Sequence, residues 1–336
     1  MARIHIQDAE SDFDCAADDT VLRAALRAGI GFPYECNVGS CGSCRFQVIE
    51  GEVEDLWPEA PSLSPRDLKK NRHLACQSRA TADCVIKMRP DPSAVLPHLP
   101  TRFAATLEGL RPLTHDLVEI SLRGTEPAQF VPGQYALLAL PGVTGLRAFS
   151  MSNIANDDGL WTFIIKRLPG GAGSAWLFEQ AKVGSRLHVD GPYGHAGFRA
   201  AIDRPVVCIA GGGGIGPMLS IVRGRAAASP GNDAVSLYYG GRAERDMIEP
   251  AVIGELGGQD GGCRYEAVAS EPTSGDWTGA TGFVHEHALA QLGASGALAD
   301  REYYMAGPPP MIDAALRALV IDSGVPVGQV HYDRFY

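Results

Sequence analysis

No apolar run in this 336-residue chain approaches the roughly 18 residues needed to cross a bilayer, and Met1 to Glu10 carry no export signal. A soluble, cytoplasmic protein with no membrane partner is expected. A concentrated lysine and arginine surface is also missing. The 29 basic residues are outnumbered by 39 acidic ones, for a formal charge of -10, which argues against nucleic acid and for solubility or the steering of a protein partner. Internal repeats and low-complexity tracts are absent. So are the two close ligand pairs of a zinc site, and a chain this long can bury its own cores without a disulfide scaffold.

Eight cysteines remain to be explained, and four of them carry a pattern. Cys36, Cys41 and Cys44 crowd into nine residues as C-x4-C-x2-C, and Cys76 follows 32 residues later. That spacing is how a plant-type [2Fe-2S] cluster is held by thiolates, so these four are the expected metal ligands. Gly39 and Gly42 suit a loop that needs positive φ and aims amide hydrogens at sulfur, where larger side chains would collide with the cluster. Cys15, Cys84, Cys208 and Cys263 lack ligand spacing and read as ordinary buried thiols.

Length allows two or three domains. The stretch Arg89 to Arg102 carries four prolines and little periodicity, the composition of a semi-rigid linker. A second joint falls near Phe198 to Pro205. The divisions expected are residues 1–92, a linker at 93–101, then 102–200 and 201–336. In the first, ARIHIQ reads as a strand, Thr20 as a helix cap, RFQVIEGEVE as a hairpin and DCVIKM as a closing strand. The second holds regularly spaced strand candidates, FAATLEGLRPL, LVEISLR, QYALLAL, LWTFIIKRL and RLHVDGP, which suggest an antiparallel β-barrel, with a tight turn at Gly191 to Gly194. The third alternates strands (PVVCIA, AVSLYYG, REYYMAG) with helices, predicting a parallel α/β sheet.

Candidate cofactor residues lie in the second and third divisions. In RAFSMSN, Arg147 and Phe149 share a strand face: arginine grips phosphate and a flat aromatic covers a flavin ring, although a core phenylalanine beside an arginine reads the same way. In Lys166 to Phe178, Gly170, Gly171 and Gly173 precede Ser174 and a helix, giving either a phosphate-binding N-terminus or a plain capping turn. In PVVCIAGGGGIGPMLS, Gly211, Gly213 and Gly216 fit G-x-G-x-x-G between a strand and a helix, with Pro217 early in the helix. An acidic residue is expected after the second strand, but Arg242 stands there instead.

RAFS resembles the flavin motif of the ferredoxin-NADP reductase superfamily, GGGGIGPM its nicotinamide loop and YMAGPPPM its C-terminal Gly-Pro motif. Preceded by a segment that resembles a β-grasp ferredoxin, the whole chain is similar to reductase components of bacterial multicomponent oxygenases. The resemblance implies that Arg147, Phe149, Ser150 and Met151 lie at FAD, that Lys166, Gly171, Gly173 and Ser174 hold its phosphates, and that Gly211, Gly212, Gly213, Gly214, Gly216, Pro217 and Arg242 face NADH or NADPH. Gly307 and Pro308 would border the nicotinamide. Ser150, Phe149 and the terminal Phe335 or Tyr336 would sit at the reacting rings, the last two either in an edge strand or covering the flavin. Ala306 stands where many relatives have cysteine, and Phe149 where tyrosine is commoner.

A nicotinamide gives up two electrons as hydride, whereas an iron-sulfur cluster takes one at a time, so a flavin between them completes a relay. The expected activity is an NADH-dependent reductase feeding an oxygenase, in particular the diiron hydroxylase of an aromatic or alkene monooxygenase, from a monomer. A Rieske dioxygenase or a pyridoxamine-dependent deoxysugar dehydratase are alternative acceptors, and a redox sensor without turnover is the alternative from another class.

Overall fold

The computed structural model describes every residue except 8, 10, 230–234, 258–262, 274, 276 and 295. Its elements run β1 (Ala2–Ile6), β2 (Ser11–Cys15), α1 (Val21–Arg27), β3 (Arg45–Glu50), β4 (Val53–Asp55), α2 (Pro65–Lys69), β5 (Arg72–Leu74), β6 (Ser78–Ala80) and β7 (Cys84–Lys87). Next come β8 (Thr101–Pro112), β9 (Leu117–Arg123), β10 (Tyr135–Ala139), β11 (Arg147–Ser150), β12 (Leu160–Lys166), α3 (Ala172–Glu179) and β13 (Arg186–Tyr193). The chain ends with β14 (Val206–Gly211), α4 (Ile215–Ala228), β15 (Val235–Gly241), α5 (Pro250–Gly257), β16 (Cys263–Ala269), β17 (Ala280–Thr281), α6 (Val284–Ala294), β18 (Glu302–Gly307), α7 (Pro309–Leu316) and β19 (Val330–Arg334).

The first part is a mixed sheet in the order β2-β1-β7-β3-β5, with α1 packed across it. Thr20 caps α1 as expected, its hydroxyl accepting from Arg23 N at 3.4 Å. Two expectations are corrected here. RFQVIEGEVE is not a hairpin: β3 pairs with β5 and β7, while β4 leaves to pair with β6 in a separate ribbon. Gly51, at φ +87°, is not a hairpin tip but a close crossing, since a Cβ there would lie 2.3 Å from the Asp83 carbonyl oxygen. Likewise DCVIKM does not close the sheet but runs through its centre as β7.

The second part is a six-stranded antiparallel sheet, β11-β10-β13-β8-β9-β12, which the Met151–Phe163 bridge curls towards closure. Alternate residues face inward, so Leu107, Ile120, Leu122, Leu138, Phe163, Ile165 and Val189 fill its core. Gly191 to Gly194 is not a turn, because β13 continues through Tyr193 and Gly191 pairs with Thr101 of β8. Gly191 is glycine because β10 passes close: its Cβ would lie 2.9 Å from that of Ala136.

The third part is the parallel sheet β17-β16-β15-β14-β18-β19. Side-chain alternation along β14 sends Cys208 and Ala210 to the α4 face and Val207 and Ile209 to the α6 and α7 face, so both sides of the sheet are covered. Among the described residues no helix is long and apolar enough to cross a membrane.

Candidate electron-transfer site

The cysteine loop is set by α1. Arg23, buried in that helix, donates from Nε to Asn37 Oδ1 at 3.3 Å and from Nη2 to the Asn37 carbonyl at 3.4 Å, pinning a residue with φ +55°. Beyond it the loop draws the four sulfurs together in two pairs. Cys44 Sγ lies 3.4 Å from Cys76 Sγ in the interior, while Cys36 and Cys41 are partly exposed. Backbone amides already point at the outer pair: Cys36 N to Cys41 Sγ at 3.5 Å, Cys41 N to Cys36 Sγ at 3.4 Å, and Ser43 N to Cys41 Sγ at 3.5 Å. The Cys36 thiol donates to Cys41, and together with these amides it holds the Cys41 thiol down to about 5. Four thiols with amides aimed at sulfur are the donor set that suits a [2Fe-2S] cluster. Gly39 and Gly42 have the expected positive φ, of +94° and +79°. Their side of the loop is tight for a further reason: a Cβ on Gly39 would lie 2.9 Å from the Trp57 ring, and one on Gly42 3.1 Å from Ser62 Cβ.

Arg147 opens β11 and lays its stem over the start of α3. A Cβ on Gly173 would lie 3.0 Å from Arg147 Cγ, so the missing side chain is what lets the guanidinium reach this helix end. Among the described residues only Nη1 of Arg147 makes hydrogen bonds, to the Thr144 and Leu146 carbonyls, both at 3.1 Å. The α3 cap is Gly171, with no side-chain bond, so amides of the first turn remain for an anion. Ser174 is placed differently from the expectation that it holds phosphate: its hydroxyl accepts from Leu168 N at 3.0 Å and donates to Gly171 O at 3.0 Å, which shapes the loop. Phe149 is half-buried, Ser150 is buried and lies opposite Tyr135, and the Met151 side chain points into the barrel core. Lys166 is drawn away from this helix end. Its ammonium pairs with Asp116 at 2.8 Å, and its stem lies against Gly212, at the seam with the parallel sheet. A guanidinium beside an uncapped helix N-terminus, with an aromatic two residues along the strand, fits a flavin pyrophosphate and ring.

In the parallel sheet β15 lies on one side of β14 and β18 on the other, so the strand order reverses there and leaves a crevice at the carboxyl ends. Gly211 and Gly307 form its floor. A Cβ on Gly307 would lie 3.1 Å from Gly211 N and O, and Pro308 and Met311 close the same corner against Gly211. Gly214 is needed for packing, because its Cβ would lie 2.0 Å from the Ala306 carbonyl oxygen. Gly212 and Gly213 are the pair left beside Lys166 and Phe335, while Gly216 packs on β12 at Ile164 and Pro217 is buried in the first turn of α4. Arg242 is exposed just past β15, with its backbone N–H held by Asp246 Oδ2 at 2.9 Å. This glycine crevice fits a dinucleotide.

Of the two readings of the chain end, the edge strand is the one found. HYDR is the edge strand β19, and Phe335 then crosses the crevice: its N–H donates to Gly307 O at 2.9 Å, and its ring lies 3.8 Å from the Cβ position of Gly213. Asp333, half-buried at this junction and facing Glu35, is pushed up to about 7 by desolvation first and by that neighbouring carboxylate second.

What sequence reasoning missed is the seam that carries the cysteine loop to the barrel. Arg27 Nη2 donates to both Asp190 oxygens, at 2.9 and 2.8 Å, and Tyr193 Oη donates to Asp190 at 2.7 Å. Tyr34 Oη accepts from Gly194 N at 2.9 Å, and Tyr135 Oη donates to the Glu35 carbonyl at 2.6 Å. The Tyr193 ring meets Tyr34 edge-on at a centroid distance of 6.3 Å and Tyr135 in a tilted contact at 6.0 Å. These residues lie up to 166 positions apart, and no local spacing joins them.

Three sheets thus bring a four-thiol loop, a flavin-shaped groove and a dinucleotide crevice to one junction, which defines an iron-sulfur flavoprotein reductase. Family models agree along the chain: a 2Fe-2S iron-sulfur cluster binding domain at residues 4–81, an oxidoreductase FAD-binding domain at 104–198 and an oxidoreductase NAD-binding domain at 208–317. The chain is 42% identical over 327 residues to the ferredoxin–NAD(P)+ reductase CarAd of Metapseudomonas resinovorans, covering 96% of each. It is 40% identical, over 96% of itself and 97% of the relative, to the ferredoxin–NAD+ reductase component of the alkene monooxygenase system of Xanthobacter autotrophicus. The solved ferredoxin reductase of carbazole 1,9a-dioxygenase superposes with a TM-score of 0.91 at 39% identity, over 100% of this chain and 98% of that one. This protein belongs to the family of three-part ferredoxin–NAD(P) reductases, and it is an oxidoreductase of [2Fe-2S], FAD and NAD type.

Proposed function

We propose that this reductase serves an oxygenase, drawing electrons from NADH and delivering them through FAD and the cluster to a diiron aromatic or alkene monooxygenase hydroxylase. A Rieske-type oxygenase is the second reading, favoured by the likeness to the carbazole dioxygenase reductase. The observation that carries the proposal is the convergence of the three sites: Phe335 touches the glycine loop, β11 lies beside β10, and Tyr135 of β10 reaches the residue before Cys36. Bound there, FAD would accept hydride and release single electrons.

Each residue has its own task in this reading. Arg147 and the first turn of α3, from Gly171 to Ser174, hold the FAD pyrophosphate. Phe149, Ser150 and the Met151 backbone line the ring. Gly211 to Gly214, Gly216 and Pro217 shape the nicotinamide crevice, bordered by Gly307 and Pro308, with Arg242 at the adenosine end and Lys166 steadying the loop. Phe335 and Tyr336 cover the reacting face and exclude water. Cys36, Cys41, Cys44 and Cys76 ligate iron. The divisions are 1–92 for the cluster, 93–101 as linker, 102–200 for FAD and 201–336 for NAD, in a cytoplasmic monomer.

Anaerobic titration with NADH tests the relay. Bleaching of the flavin band should be accompanied by a rhombic low-temperature EPR signal from the reduced cluster. NADH should exceed NADPH in kcat/KM, and cytochrome c should be reduced rapidly. Flavin bleaching without the EPR signal would remove the cluster from the path, and colour without turnover would leave the redox-sensor reading standing.

A further inference from the structure

One buried side chain joins the flavin strand to the cysteine loop without being a ligand of either cofactor. Tyr135 opens β10 and lies directly across the ladder from Ser150 of β11. Its ring is wedged against Tyr193, with centroids 6.0 Å apart, and against Gly194, where a Cβ would lie 3.0 Å from Tyr135 Cδ1. Gly194 holds φ +102°, so that position is built to leave the ring room. The hydroxyl then donates at 2.6 Å to the carbonyl of Glu35, whose peptide continues into Cys36. Among the described hydrogen bonds between the barrel and the first sheet, this one alone ends on the loop from Glu35 to Cys44. The others reach Tyr34, Arg27, Asp18 or Asp19, outside that loop.

We propose that Tyr135 is a positioning residue for inter-cofactor electron transfer: it fixes the outer cysteine pair relative to the flavin strand. A bonded route between them runs through it across two hydrogen bonds, from Met151 N–H to the Gln134 carbonyl at 3.0 Å and from the Tyr135 hydroxyl to the Glu35 carbonyl at 2.6 Å. The inference rests on FAD lying along Arg147 to Ser150. The step it governs is outer-sphere, with one electron lost by the reduced FAD and one gained by a ferric iron of the cluster. No bond forms or breaks, and Tyr135 keeps its proton.

The test compares holoenzyme carrying Tyr135→Phe with wild type and with Tyr193→Phe, which removes a seam hydroxyl that does not touch the loop. In anaerobic single-turnover mixing with NADH, Tyr135→Phe should leave the hydride step within about twofold. It should slow flavin-to-cluster transfer about fivefold, the factor by which one intramolecular hydrogen bond ordinarily shifts an equilibrium. Hydrogen exchange of the Cys36 to Gly42 amides, read by mass spectrometry without any electron donor, should rise by a similar factor. Tyr193→Phe should change neither by more than about twofold. Unchanged transfer and exchange in Tyr135→Phe, a hydride step that falls equally, or equal effects from Tyr193→Phe would each overturn the proposal. If Arg147→Ala binds FAD with unchanged affinity, the placement of the flavin fails on its own, independently of what Tyr135 does.

Discussion

Asp190 is the residue on which the cluster-bearing sheet and the barrel are most closely tied, and its replacement by asparagine tests how firmly. The carboxylate side chain is 3% exposed and receives both contacts from Arg27 Nη2, the Tyr193 hydroxyl at 2.7 Å and, more distantly, Arg102 Nε at 3.6 Å. Asp19 supplies a second buried carboxylate, 3.5 Å from Arg27 and 3.4 Å from Arg102. In Asp190→Asn two guanidiniums converge on Asp19, with only the exposed Asp18 assisting Arg102. Removing one partner of a fully buried pair costs about 3–5 kcal/mol. Arg27 is 24% and Arg102 34% exposed, so water recovers part of that, and about 2–3 kcal/mol is the expected loss. At roughly 2–4 °C per kcal/mol, the melting of the cluster chromophore should fall by about 5–10 °C. A double-mutant cycle with Arg27→Met should return a coupling energy above about 1 kcal/mol. Strict additivity of the two substitutions, or a melting shift under about 2 °C, would refute the reasoning.

Three further outcomes follow from the same geometry. Arg147→Ala removes the guanidinium proposed to hold the FAD pyrophosphate and should weaken FAD binding roughly 10- to 100-fold, measured by flavin fluorescence on reconstitution of apoprotein; unchanged affinity would move the phosphate site elsewhere. Gly214→Ala puts a Cβ 2.0 Å from the Ala306 carbonyl oxygen, a clash between two backbones that should cost about 3 kcal/mol or more, and a wild-type denaturation midpoint would contradict it. Asp333 is pushed up to about 7 by burial and by Glu35, so the folded chain holds a proton that the unfolded chain has released above pH 4. Its contribution to stability therefore falls as pH rises from about 4 to 7 and is flat above. Asp333→Asn should stabilise at pH 8 by about 2 kcal/mol, half the full linkage value because the side chain keeps some solvent contact, and should be neutral near pH 4. Equal effects at both pH values would show that the carboxyl is not shifted.

Features fixed by short-range geometry were legible in the sequence. The cysteine spacing puts three thiols on one loop, where the fold brings them together with Cys76, and the Thr20 cap, the alternation of β14 and the glycine run before α4 are likewise local. Two of the corrected expectations turn on a glycine with two possible causes. A hairpin over RFQVIEGEVE and a turn at Gly191 each rest on a glycine, yet Gly51 marks a crossing of β3's exit with the Asp83 backbone and Gly191 a close approach of β13 to β10. A positive φ or a missing Cβ looks the same in sequence whether the chain turns there or another chain passes. The nicotinamide loop shows the same ambiguity: of its four consecutive glycines, Gly211 and Gly214 are required by packing against Met311 and Ala306, which leaves Gly212 and Gly213 beside Lys166 and Phe335.

The seam was invisible for a different reason, and its make-up says what holds the relay in place. Tyr135, Leu137 and Tyr193 of the barrel belong to the same apolar cluster as Phe32, Tyr34 and Leu26, so the core of the first sheet does not stop at the end of its own segment. Pulling the two apart would return those faces to water, break the Arg27–Asp190 pair and take the Tyr135 hydroxyl from the Glu35 carbonyl at once. Apolar area supplies most of the attraction but has no direction, and the ion pair at Asp190 orients the sheet without reaching the ligands. Among the described hydrogen bonds, the Tyr135 hydroxyl alone carries that alignment to the residue beside Cys36, which is why a contact small in energy is the one expected to move an electron-transfer rate.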